Sequence, residues 1–151
     1  DTSEWILTPS ITDLLELMSA KHILVIADSC FAGKLTRSGL AKLRPGLSEE
    51  ARMAMLKTVA KKRVRTALTS GGEHPVLDVG EGGHSVFTGA LLEVLEDNHT
   101  ILETERLFLA VRTRVVNAAD KYKMEQIPTY WPIQFSGHES LGDFIFVPSR
   151  T

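Results

Sequence analysis

The sequence predicts an α/β fold in which helices cover a largely parallel sheet. Two observations carry this. Residues 23–27, Ile-Leu-Val-Ile-Ala, are apolar without alternation, the pattern of a strand covered on both faces. Amphipathic-helix and strand patterns then succeed one another along the chain, as layered α/β folds require. Such sheets gather their chemistry just beyond the carboxyl ends of the strands. Here the first strand stops at Asp28-Ser29-Cys30, and Cys30 is the only cysteine in the chain. Its position makes Cys30 a candidate nucleophile, against the alternative of an inert thiol packed in the core.

The elements follow in order. Ser10, after Pro9, reads as an N-cap, and Asp13 suits the positive end of the helix. Ile11, Leu14, Leu15 and Met18 supply the buried stripe of this helix, which is expected to end near Ala20. The strand at 22–27 comes next. Residues 34–63 carry nine basic residues against only Glu49 and Glu50. Within them, 36–39 and 43–46 read as exposed loop. Ser48 is expected to cap a helix over about 49–62, its acids in the first turn and Lys61, Lys62 and Arg63 in the last. This charge reads as a solvated basic face.

Arg65–Thr69 is the next strand, ending in Ser70-Gly71-Gly72. Glycines at 80, 82 and 83 lead to His84 and Ser85, and Ser85 is a plausible cap for a helix over 86–96. Phe87, Leu91, Leu92 and Leu95 should face inward. A helix over about 104–117 buries Leu107, Phe108, Val111 and Val115. A connection rich in proline and aromatic residues, Pro128 to Pro132, leads to Gly137-His138-Glu139. Asp143–Val147 is a short strand stopped by Pro148.

Composition bounds the function. A chain of 151 residues, 43 % hydrophobic and 24 % charged, can bury one real core, so one domain is expected. A formal charge of -2 gives no general pull toward nucleic acid or an anionic membrane, and the basic segment lacks the interleaved aromatics of a nucleic-acid surface. No apolar run approaches the roughly 20 residues of a membrane span. One cysteine excludes an internal disulfide and fits a reducing compartment, with the cytoplasm expected. Cys/His spacing for zinc is absent, as is a repeated-carboxylate calcium loop, although Asp78 and Glu81 are acidic. No cofactor and no obligatory metal ion are expected.

The segment Asp28-Ser29-Cys30-Phe31-Ala32-Gly33 is similar to the Asp-Ser-Cys-x-x-Gly stretch around the nucleophile of metacaspases and bacterial caspase-like peptidases. Leu68-Thr69-Ser70-Gly71-Gly72 and Pro75-Val76-Leu77-Asp78 look like the start of their smaller catalytic subunit. Gly83-His84-Ser85-Val86-Phe87-Thr88 and the closing stretch from Gly137 to Phe146 match the bacterial pattern. The resemblance implies a caspase-like three-layer α/β/α sandwich, its sheet mostly parallel and its first strands missing from this chain. It divides the chain into a nucleophile-bearing end of the large subunit (1–33), a basic linker and helix (34–63) and a small-subunit-like region (64–151).

What the resemblance implies chemically is a cysteine endopeptidase with a His-Cys dyad and an oxyanion donor at the Cys30 N–H. Caspase-type enzymes carry the histidine about 50 residues before the cysteine. Here 29 residues precede Cys30, and their only histidine, His22, lies about 25 Å away at the far end of an extended strand. The base is therefore expected upstream, on a large-subunit segment that precedes Asp1 and stays associated with this chain. By the same resemblance Asp28 lines an acidic pocket for an Arg or Lys side chain, with Ser70 and either Glu73 or Asp78 as the other wall. His84 and Ser85 are expected to line the pocket, His138 to orient the closing segment. Arg37, Lys42 and Arg44 lie where such enzymes are processed, so autocatalytic cleavage of a zymogen is a second expectation. The alternative is an inactive caspase-like binding or scaffold domain. A nucleophile-elbow thiol hydrolase is disfavoured, because the flanking glycines it needs are absent.

Overall fold

The computed structural model describes residues 8–29, 47–71 and 81–149. Helix α1 (Thr8–Leu17) leads to strand β1 (His22–Ala27), helix α2 (Glu49–Val59) and strand β2 (Val64–Thr69). A short 3₁₀ turn, Glu81–Gly83, precedes helix α3 (Val86–Glu96). Strand β3 (Leu102–Glu103), helix α4 (Thr104–Lys121), strand β4 (Thr129–Pro132) and strand β5 (Ile145–Phe146) complete the elements among the described residues.

The central sheet runs β1-β2-β4. β1 and β2 are parallel, with Ala27 opposite Thr69, while β4 returns antiparallel along the other edge of β2. Among the described residues, parallel pairing thus holds for one of the two junctions of this sheet. β3 and β5 form a separate antiparallel pair. The pleat sends alternate residues to opposite layers. Ile23, Val25 and Ala67 meet Ile11 and Leu15 of α1 on one face. Leu24, Leu68 and Tyr130 meet α3 and α4 on the other, through Phe87, Leu91, Leu107 and Val111. Phe87, Leu107 and Val111 are fully buried, and each such side chain stabilises the fold by roughly 1.5–3 kcal/mol. The result is a mixed α/β architecture with helices on both sides of the sheet.

Several expectations are corrected. β1 packs on both faces as expected, but the more deeply covered strand is β2, whose six residues are all buried because it lies between two neighbours. β1 is half-buried, and Ile26 is 45 % exposed. α1 begins at Thr8, so Ser10 lies inside it; Pro9 is tolerated in the first turn, where backbone donors have no partner anyway. Only Ile11 and Leu15, one turn apart, reach the sheet, and Leu14 and Met18 are exposed. α2 carries the expected Ser48 cap, with Ser48 Oγ accepting from the Ala51 N–H at 3.2 Å. It ends at Val59, because Lys61 and Lys62 bond back to Thr58 and Val59 in a tightened final turn. α3 matches its expected span, but Leu92 faces outward and Val94 inward. α4 runs on to Lys121, four residues past the expected end. Within the stretch from Pro128 to Pro132, Thr129–Pro132 form β4 rather than a connection.

The closing segment is pinned to the start of β2. Nδ1 of His138 accepts from the Arg65 N–H at 3.0 Å, and the Glu139 N–H donates to Arg63 O at 2.9 Å. Gly142 is needed here, since a Cβ would lie 3.0 Å from Glu139 O and 3.1 Å from Val64 Cγ2.

Candidate active site

The carboxyl ends of β1 and β2 stay together beyond the last paired residues. The Ser70 N–H donates to Ala27 O at 3.0 Å, and Ser70 Oγ donates to Ser29 O at 3.4 Å. Ser70 is fully buried, so its hydroxyl faces the tail of β1. Behind it, Gln126 Nε2 donates to Ser70 O at 3.0 Å, and Thr69 Oγ1 meets Thr129 Oγ1 at 2.7 Å. Together these bonds fix Ser29, the residue before Cys30, against a rigid sheet.

Asp28 is exposed at this same end. Its Oδ2 accepts from Ser85 Oγ and, at 2.7 Å, from Thr88 Oγ1. Ser85 is also the N-cap of α3, its Oγ accepting from the Thr88 N–H at 3.0 Å. Asp28 is thereby held at the positive end of a helix, where a carboxylate is favoured. Asp28, Ser70 and Ser85, three residues singled out in the sequence, are brought together. Thr88 was not singled out. Its signal was present, because a hydroxyl three residues after a cap lies on the same helix end.

Cys30, Glu73, Asp78, Arg37, Lys42, Arg44 and His74 lie outside the described residues. The other histidines have defined surroundings. His22 Nε2 is 3.0 Å from Lys62 O at the amino end of β1, remote from Asp28. His138 is held neutral: burial pushes its pKa down, Lys62 and Arg65 add to this, and Glu139 opposes it. Its Nδ1 is an acceptor, so the ring proton sits on Nε2. His84, beside Ser85, and His99 are exposed. Among the described residues, no three His, Cys, Asp or Glu side chains converge on a metal position. No helix among them is long and apolar enough to cross a membrane.

The family model described as "Caspase domain" matches residues 6–135. The chain belongs to the caspase-domain peptidase family. No curated protein and no solved structure gives a match. The caspase-domain match spans α1 through β4, so it covers the Asp28–Cys30 segment, the Ser70 turn and the start of α3.

Proposed function

We propose that this caspase domain is a cysteine endopeptidase that hydrolyses protein substrates after Arg or Lys, with Cys30 as its nucleophile. The observation that carries the reading is the exposed Asp28 carboxylate, fixed at the start of α3 and two residues before Cys30. A carboxylate so placed attracts the guanidinium or ammonium of a substrate residue. Ser70 supports the site by holding Ser29, and Glu73 or Asp78 completes the pocket wall.

In the reaction, the Cys30 thiolate attacks the scissile carbonyl, and the oxygen of the tetrahedral intermediate is met by the Cys30 N–H. A histidine takes the thiol proton and passes it to the departing amine as the C–N bond breaks. Water then cleaves the thioester and restores the thiol. The family pattern places this histidine about 50 residues before the cysteine. Of the described histidines, His22 is engaged at the far end of β1 and His138 with β2, while His84, exposed beside Ser85, is not at the position the family pattern gives the base. No metal ion enters this scheme. The basic stretch containing Arg37, Lys42 and Arg44 is a substrate for the same activity, which makes the enzyme a self-processing zymogen in a reducing compartment such as the cytoplasm.

The test is a panel of fluorogenic peptides offered to the full-length protein. Cleavage after Arg and Lys, abolished by Cys30→Ala and strongly reduced by Asp28→Asn, is expected. No cleavage of any peptide would favour the scaffold alternative. Intact-mass analysis of wild type and Cys30→Ala after incubation checks self-processing, and identical masses would remove it.

A further inference from the structure

Ser85 and Thr88 do more than anchor Asp28. A carboxylate offers about four acceptor positions, two on each oxygen. Oδ2 of Asp28 receives both the Ser85 and the Thr88 hydroxyl. The directions of these bonds are fixed. Ser85 Oγ accepts from the Thr88 N–H, so its own hydrogen is free to go to Asp28. Both acceptor positions of Oδ2 are therefore taken by two residues of α3. Among the described residues nothing bonds to Oδ1, which is the oxygen left for a substrate cation.

We infer that Ser85 and Thr88 are specificity-determining positioning residues, which restrict Asp28 to a single-oxygen contact with the substrate and so bring lysine close to parity with arginine. The inference rests on Asp28 being the pocket carboxylate. Arginine gains over lysine where its planar fork engages both oxygens of a carboxylate side-on. With Oδ2 filled, a guanidinium meets Asp28 through Oδ1 alone, and an ammonium, a compact point charge, is served equally well. Freeing one position on Oδ2 would restore the fork to arginine and give lysine nothing comparable. One added charge-assisted hydrogen bond corresponds to about a tenfold change.

Thr88→Val is the informative variant. It is nearly isosteric, it removes one donor to Oδ2, and it keeps the backbone N–H that Ser85 caps, so α3 retains its start. Thr88→Ser restores the hydroxyl and serves as the rescue. Matched peptides differing only in Arg or Lys before the scissile bond are compared by kcat/KM in the full-length protein, with thermal unfolding of each variant as the fold control. In wild type the Arg:Lys ratio is expected within about tenfold. It should climb by about that factor in Thr88→Val and return in Thr88→Ser. A ratio that Thr88→Val leaves unchanged or lowers, or a wild-type preference for arginine far beyond tenfold, overturns the inference and leaves the peptidase reading standing. No cleavage after either residue, or cleavage indifferent to Asp28→Asn, overturns both.

Discussion

The Arg65 side chain is fully buried, and its guanidinium directs all five N–H donors at backbone carbonyls. Nε donates to Leu15 O at 2.8 Å. Nη1 donates to Lys21 O and Val64 O, and Nη2 to Met18 O and Ala20 O. Four of these acceptors lie at or just after the end of α1, where helix carbonyls lack internal partners and the dipole favours a cation. Arg65 thus caps α1 from within β2 and fixes the turn that feeds β1, at whose far end Asp28 stands. Lysine has three donors on a point charge and cannot reproduce the fork. Losing two charge-assisted bonds at about 1.5 kcal/mol each predicts that Arg65→Lys destabilises the domain by about 3 kcal/mol. Urea denaturation checks this, through a lowered midpoint at unchanged slope; an unchanged midpoint would refute it.

Helix α2 shows where element-level reading succeeds and where it stops. Its Ser48 cap and acidic first turn were legible, because capping is local chemistry. Its basic face was expected to be solvated, yet Arg52 turns inward and forks onto Glu103, with Nε to Oε1 at 3.2 Å and Nη2 to Oε2 at 2.8 Å. Nη2 also donates to Ile101 O at 2.7 Å, tying α2 to the start of α4. Fifty-one residues separate the partners, and no local pattern encodes that pairing. Burial pushes the Glu103 carboxyl up in pKa, but the Arg52 hydrogen bond, a backbone hydrogen bond and the charges of Arg52 and Arg106 together outweigh it, and the net direction is down. Removing Arg52 leaves the buried Glu103 carboxylate with only the more exposed Arg106 at 3.7 Å as a counter-charge, so Arg52→Met is expected to cost about 3 kcal/mol at neutral pH. Arg52→Met combined with Glu103→Gln should recover most of that loss in a double-mutant cycle; an additive double mutant would contradict the coupling. β4 was missed for a related reason. Pro128 and Pro132 suggested a connection, but proline is tolerated on the flank of a sheet, and Thr129-Tyr130-Trp131 is a strand-forming run. At the site, Asp28 and Ser85 could be named because caps and strand ends are readable. That one oxygen of Asp28 serves both α3 hydroxyls depends on how α3 docks on β1.

Across the whole molecule, the meeting of α4, β4 and the closing segment concentrates acids in a poorly hydrated place. Asp143 accepts from the Tyr130 hydroxyl and, at 3.1 Å, from the Glu105 N–H. Burial raises the pKa of Asp143, with a smaller push from Glu103, against the hydrogen bonds it accepts. Burial likewise raises Glu105, helped by the charges of Asp143 and Glu103, and one Glu105 oxygen is buried without a hydrogen-bond partner among the described residues. A carboxyl whose pKa is higher folded than unfolded binds its proton more readily in the folded state. Its stability contribution is then fully present below the ordinary value of 4.5 and lost as pH rises through the folded pKa. Glu103 and His138, both depressed, act in the opposite sense: Glu103 loses its contribution as pH falls through its folded pKa, and His138 costs stability as pH falls below its ordinary value of 6.5. The total pH profile therefore mixes signs, and only a difference between variants isolates one group. Glu105→Gln leaves Asp143, Glu103 and His138 in place, so their direct contributions largely cancel in such a comparison. The variant is expected to be more stable than wild type at pH 7, with the advantage shrinking steadily on acidification and vanishing below 4.5. Urea midpoints of the two proteins across that range measure the gap, and a gap constant with pH would show that the Glu105 charge carries no penalty in the fold.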